Sequence, residues 1–265
     1  MLAHHTLLPH PSRQHYAEKI AYLPNRYQVN DRTREIAATQ FSRAALGLPS
    51  TGFVFCCFNH NYKITPSTFA GWLRILKKVA GSVLWLLADH ETAGQHLRRE
   101  ASARGVSAER LIFAKRMSPP DHLARHRVAD LFLQTLPGNA HTTASDALWA
   151  GLSVLRWVGE AVASAVAASL LTAIDRAERI TTTPAQSELL AVELATNPES
   201  LSHSKQKLAS DRLIAPLFDT VWFTRPIEDA YIQMLERQRR ACRQATFMSR
   251  HERAQHRPQP HDARR

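Results

Sequence analysis

Apolar residues recur along this chain in two alternating patterns. Short unbroken runs predict buried strands at Phe53–Phe58, Ser82–Leu87, Arg110–Ala114, Ala129–Leu133 and Ser153–Val158. Between them the spacing changes to that of helices. Thr65 is a candidate N-cap with Pro66 at the first helical position, and the helix it opens places Phe69, Trp72, Leu73, Leu76 and Val79 on one face. Lys77 and Lys78 stand near its carboxyl end and Gly81 ends it. Further helical patterns cover Glu91–Arg104, Pro120–His126, the Ala-rich Ala161–Ile174, Pro184–Thr196, Glu199–Arg212 and Asp219 to about Arg240. Strands alternating with helices across tight connections predict an α/β fold with a doubly wound parallel sheet. In such sheets ligands sit beyond the carboxyl ends of the strands, where Asn59–Lys63, Lys115–His122 and Pro137–Thr143 would converge.

The stretch from Pro137 to Gly151 organises the rest. A strand ends in a Pro-Gly-Asn turn and opens a helix with Thr142 and Thr143 in its first turn. The first N–H groups of such a helix point into the crevice above the sheet and attract phosphate. His141 and both threonine hydroxyls can add donors, and Asp146 can accept from a sugar hydroxyl. The same residues also make a plain capped helix, and the pattern by itself leaves both readings open. No G-x-G-x-x-G, no G-x-x-x-x-G-K-[ST] and no zinc-type spacing is present, despite 14 histidines.

Composition narrows the class. The chain has 265 residues, 44% hydrophobic and 22% charged, enough for a full core in one or two domains. No apolar run reaches the ~18 residues of a membrane span, and the amino terminus lacks the pattern of a secretory signal. Cys56 and Cys57 are adjacent in a predicted strand and Cys242 lies near the end, an arrangement that suits a reducing cytoplasm and makes no metal site. The formal charge of +11 would suggest nucleic acid, but Glu236–Arg265 holds nine arginines and three acids and so supplies +6 of it. That tail reads as a solvated, unstructured extension, and specific nucleic-acid recognition is not expected. The predicted organisation is a lead-in over 1–43 without a convincing core pattern, an α/β lobe over 44–240, and a basic tail over 241–265.

Several colinear blocks resemble a known family. Phe58-Asn59-His60-Asn61-Tyr62-Lys63-Ile64-Thr65-Pro66, Ser82–Leu87, Asn139–Thr143 with Asp146–Gly151, and Val166–Ser169 are similar to the C-terminal catalytic lobe of protein O-GlcNAc transferases. Leu23–Asp31, Pro216–Thr220 and Tyr231–Met234 fit the same family, and the likeness runs in order from about Tyr16 to Arg240. It implies a Rossmann-like C-terminal lobe of a GT-B glycosyltransferase with C-terminal helices, transferring N-acetylglucosamine from UDP-GlcNAc to Ser or Thr of an acceptor protein without a metal or other cofactor. The lysine matching Lys63 meets the diphosphate, a catalytic role in stabilising the leaving UDP. His141, Thr142 and Thr143 match the phosphate-holding segment, Asp146 the ribose-binding carboxylate, and His122 and Arg125 residues around the uracil; His60 and Met117 complete the matched UDP-sugar site. Without the likeness, Lys63 reads as a solvated loop lysine, His122 as an ion-pair partner of Asp121 and Asp146 as support for a helix start.

The chain departs from the family pattern at His60, Gln134, Gly138, Ser153, Arg156-Trp157 and Ala165, the last three groups expected beside the sugar-nucleotide pocket. The family's tetratricopeptide repeats and N-terminal catalytic lobe have no counterpart here. Transfer would then need a separately encoded N-terminal lobe or repeat protein, or rest on weak activity retained by this lobe. The alternatives are a UDP or UDP-sugar-binding module and an inactive gene fragment, in either case in the cytoplasm and away from membranes.

Overall fold

The computed structural model describes residues 1–24, 26–157, 162–175, 177–240 and 247–248, with the side chains of 156–157, 162–165, 167, 177 and 247–248 also outside the described set. Six parallel strands form the main sheet: β1 (Val54–Cys57), β2 (Val83–Leu87), β3 (Leu111–Ala114), β4 (Leu131–Leu133), β5 (Val154–Trp157) and β6 (Ile180–Thr181). Their order is β3-β2-β1-β4-β5-β6, with β1 paired to β2 on one side (Phe55 opposite Leu84) and to β4 on the other (Phe55 opposite Leu131). β1, β2 and β4 are buried along their whole length, as continuous apolar runs covered by helices on both faces must be. The expected doubly wound sheet is present, with one strand, β6, beyond the five predicted. The order reverses between β1 and β4, and that switch point puts the loops after these two strands side by side.

The helices are α1 (Pro66–Lys78), α2 (Glu91–Ala103), α3 (Pro119–Arg125), α4 (Thr142–Trp149), α5 (Val162–Thr172), α6 (Pro184–Thr196), α7 (Pro198–Asp211) and α8 (Thr220–Arg239). α1 begins as its sequence predicts: Pro66 opens it and the Thr65 hydroxyl accepts from the Thr68 N–H. It buries Phe69, Trp72, Leu73 and Leu76 against the sheet and packs beside α6. Its last carbonyls are closed by a residue far along the chain, because Arg110 donates to Leu76 O, Val79 O and Ser82 O at 2.7–2.9 Å. Gly52 sits at φ +92, and a Cβ there would stand 2.2 Å from the Gly81 carbonyl oxygen, so the two turns that launch β1 and β2 touch through backbone alone.

The lead-in contributes more structure than its pattern predicts. Leu2–Ala3 and Ala21–Tyr22 pair in parallel, and Phe247–Met248 adds a third short strand. Leu8, Ile20, Tyr22 and Leu23 are buried. Arg26 is also fully buried, held by the Asp219 carbonyl at 2.7 Å over the Phe223 ring. Two-residue strands carry no periodicity of their own, which is why the pattern does not announce them. The rest of the predicted tail, Cys242 included, lies outside the described residues. Among the described residues no helix is long and apolar enough to cross a membrane.

Candidate functional site

The crevice at the β1/β4 switch point is built around one buried amide. Asn59, the second residue beyond β1, is 3% exposed; its Nδ2 donates to Thr135 Oγ1 at 2.8 Å and its Oδ1 accepts from the Thr143 hydroxyl. Thr135 passes its own proton to Gly138 O at 2.7 Å. The ends of β1 and β4 and the first turn of α4 are thereby fastened to each other. Gln134 takes part as well: its side-chain oxygen accepts the Ala140 N–H at 2.8 Å and shapes the turn before α4. Gln134 therefore serves the turn directly, and Gly138, whose missing Cβ would meet nothing within 4 Å, leaves its neighbourhood open.

Above this knot stand the charged groups. Lys63, in the turn after β1, reaches across the switch point and donates to Asn139 O at 3.3 Å. Among the described residues no carboxylate lies in ion-pair range of it. α4 starts at Thr142 with His141 as its N-cap and no side chain capping it, so its first N–H groups face the same crevice. Tyr27 Oη lies 3.1 Å from His141 Nδ1 and orients the ring. Burial, and after it the Lys63 charge, lowers the His141 pKa, so the imidazole is neutral at pH 7. A cation with a single carbonyl contact, an uncapped helix start and exposed donors on His141 and Thr142 together make a place where negative charge is stabilised.

Asp146 lies one turn into α4, and its carboxylate is paired with Arg34. Burial raises its pKa, and the Arg34 guanidinium opposes that shift. Ser145, on the same helix, donates to Asn30 Oδ1. Tyr27, Asn30 and Arg34 therefore all reach α4 from the lead-in, and sequence reasoning missed each of them. The partners are more than a hundred residues apart, and no local pattern links them.

The remaining predicted residues sit along the β2–β3 side. His60 Nδ1 pairs with Asp89 at 2.7 Å, its ring stacks on Tyr62, and Asp89 also holds Arg116 at 2.7 Å. Met117 is exposed in the loop before α3. His122 meets the Phe58 ring edge-on at 5.3 Å and His126 at 4.9 Å. Arg125 is fully buried under them, with its guanidinium 4.4 Å from the Phe58 centroid and its Nη1 donating to Lys115 O at 2.6 Å. Burial pushes the Arg125 pKa down to about 10, which leaves it charged at neutral pH. The structure thus brings Lys63, His141, Thr142 and Thr143 together, with Asp146 one turn further along α4, while the described contacts of His60 and His122 are to Asp89 and Tyr62 and to Phe58 and His126. Ser153 corrects an expectation: it precedes β5 at the opposite edge of the sheet, where its hydroxyl is buried 3.0 Å from that of Ser204 on α7. It forms no wall of the crevice. The side chains of Arg156, Trp157 and Ala165 lie outside the described residues, as does the Gly159-Glu160 loop.

Three histidines carry a pH dependence. Burial first, then charged or ionisable neighbours, holds His126 down to about 3 and His122 and His4 down to about 4. The unfolded chain takes up these protons near the ordinary histidine value of ~6.5, whereas the folded chain refuses them. Stability is therefore intact above about pH 6.5 and falls as the pH drops through the window toward 3–4, by up to ~1.4 kcal/mol per pH unit for each histidine. Between about pH 7 and about pH 5 the three contribute nearly equally, and only below about pH 4 does His126 contribute the most. Urea unfolding should give a lower midpoint at about pH 5 than at about pH 7, and His126→Phe should reduce that difference by roughly a third; an equal midpoint at both pH values would contradict it.

The chain resembles known proteins along most of its length. A model of glycosyl transferase family 41 matches residues 34–227. A probable UDP-N-acetylglucosamine–peptide N-acetylglucosaminyltransferase of Arabidopsis thaliana, SEC, is 35% identical over 225 residues, covering 83% of this chain and 23% of that protein. The UDP-N-acetylglucosamine–peptide N-acetylglucosaminyltransferase of Caenorhabditis elegans is 36% identical over 196 residues, covering 74% of this chain and 17% of its own length. The chain spans a quarter or less of the length of these two relatives. Among solved structures, an O-GlcNAc transferase mutant of Thermobaculum terrenum superposes with a TM-score of 0.76 at 27% identity, covering 88% of this chain and 44% of that one. WaaG, a glycosyltransferase of lipopolysaccharide biosynthesis, shares the fold at a TM-score of 0.56 and 14% identity. The crevice at the β1/β4 switch point is thus set in the C-terminal part of a GT-B architecture, and the chain belongs to glycosyl transferase family 41.

Proposed function

We propose that this chain supplies the donor half of a UDP-GlcNAc:protein O-GlcNAc transferase, binding UDP-GlcNAc at the β1/β4 crevice for transfer of the sugar to Ser or Thr of an acceptor protein. The observation that carries the reading is the Lys63 ammonium, free of any described carboxylate and set beside the uncapped start of α4. A departing UDP gains negative charge on its β-phosphate. A cation and helix N–H groups already in place stabilise that charge without reorganising. In this reading Lys63 and the Thr142–Thr143 turn hold the diphosphate and His141 donates to it. Asp146, with Arg34 fixing its carboxylate, accepts from the ribose.

His122, Met117 and the Lys115 backbone edge take the uracil, and Arg125 acts from beneath by holding the Lys115 carbonyl. His60, paired with Asp89, borders the sugar side. The phosphate charge is met here by protein groups, and the reaction needs no metal in this reading. The acceptor-binding half of a GT-B cleft comes from the second lobe, on a separate polypeptide or elsewhere in the full protein, because orienting a serine hydroxyl and excluding water need both walls. Thermal unfolding with uridine, UMP and UDP tests the assignment. Stabilisation should rise along the series with the largest step at the second phosphate; a series that is flat from uridine to UDP would remove the diphosphate site.

A further inference from the structure

His141 stands at the start of α4 with one ring nitrogen already engaged, and the group that engages it comes from the lead-in. The Tyr27 ring packs against Leu7 and against Val166 of α5. It meets the imidazole edge-on at 88°, and its Oη lies 3.1 Å from His141 Nδ1. His141 is exposed, and among the described residues nothing bonds its Nε2. One ring nitrogen is thus taken by the protein and the other is not.

In a neutral imidazole one nitrogen donates and the other accepts, so the direction of the Tyr27–His141 bond decides what His141 can do. Two acceptors compete for the phenolic proton. Gln28 Oε1 is 3.4 Å away, its orientation set by Gln28 Nε2 donating to Asn30 Oδ1 at 3.3 Å. His141 Nδ1 is nearer, and an imidazole nitrogen is a stronger acceptor than an amide oxygen. Burial pushes the Tyr27 pKa up to about 12, so the phenol keeps its proton. Burial, and after it the Lys63 charge, keeps the imidazole neutral at pH 7. With Tyr27 donating to Nδ1, the His141 proton sits on Nε2. The reverse wiring, Nδ1–H to Tyr27 and the phenol to Gln28, would leave a lone pair on Nε2, which repels a phosphate oxygen.

We propose that Tyr27 is a positioning residue of the donor site, donating to His141 Nδ1 and so holding the imidazole in the tautomer whose Nε2–H donates to the diphosphate. This rests on the donor-site reading above, and it makes the lead-in part of that site. Tyr27 touches no phosphate in this arrangement; it acts through the proton it assigns to His141. Nitrogen-15 NMR of the full chain, labelled at histidine, reads the tautomer directly. His141 Nδ1 should appear as an unprotonated, hydrogen-bonded nitrogen and Nε2 as a protonated one, with and without UDP. Tyr27→Phe keeps the ring packed on Leu7 and Val166 and removes only the hydroxyl. Calorimetric titration should then show UDP weakened by roughly three- to tenfold, with uridine unchanged because it carries no phosphate. In a His141→Phe background the same substitution should leave UDP affinity where it was. A His141 protonated at Nδ1, full UDP affinity in Tyr27→Phe, an equal loss for uridine, or an equal loss in the His141→Phe background would each overturn the role given to Tyr27. A wild type that binds no UDP would overturn the donor site itself, and this role with it.

Discussion

Replacing Lys63 by alanine is expected to lower the affinity for UDP by roughly a hundredfold while leaving the fold intact, since the lost contact is a charge-assisted one to a phosphate in a partly desolvated site. The asymmetry follows from what Lys63 does in the structure. Among the described residues its one hydrogen bond is the 3.3 Å bond to Asn139 O, and none forms an ion pair with it whose loss would strand a buried charge. The helix it precedes is started by Thr65 and Pro66, which the substitution leaves in place. A shift in the thermal midpoint of no more than ~2 °C is therefore expected in the absence of ligand. Calorimetric titration together with a melting curve reads both halves. Loss of binding accompanied by loss of folding would show that Lys63 is a structural residue and would remove the phosphate assignment.

The second large effect is expected at Asn59. Asn59→Ala removes two buried hydrogen bonds and opens a hole where β1, β4 and α4 meet, at a cost of roughly 2–4 kcal/mol. For a domain of this size that corresponds to a fall of roughly 5–15 °C in the melting midpoint. Asn59→Asp is expected to do no better, although it is nearly the same shape. Thr135 already spends its proton on Gly138 O, so a carboxylate oxygen in place of Nδ2 would meet a lone pair instead of an acceptor it can donate to. UDP affinity should fall with stability in both variants, because Thr143 and the α4 start lose their anchor. A melting midpoint unchanged in Asn59→Ala would contradict the role given to this amide.

How much of this was legible in the sequence follows from the range over which each interaction acts. The five long strands and every major helix are readable because burial on two faces, or on one, imposes a period on the chain itself. The start of α1 at Thr65-Pro66 is readable for the same local reason, and so is the α4 start after the Pro-Gly-Asn turn. The positions of Lys63 and His141 on facing loops follow once the sheet is known to be doubly wound. Arg34, Tyr27 and Asn30 are different. Each meets α4 from a segment with no apolar repeat, and a salt bridge between residues 34 and 146 leaves no trace in the spacing of either. β6 and the two-residue strands of the lead-in escape because two residues are too few to show alternation. The pairing of His60 with Asp89, which also holds Arg116, joins separate loops and is likewise not encoded in spacing.

The most direct test of the account is amide NMR of the full chain titrated with UDP, because it locates the ligand as well as detecting it. The predicted result is a cluster of shifted resonances at Asn59–Ile64 and Gly138–Ser145, with Tyr27 and Arg34 following and the residues before β4 and β5, at the opposite edge of the sheet, unaffected. Shifts confined to that opposite edge, or none at all with a well-folded chain, would contradict a diphosphate site at the β1/β4 switch point.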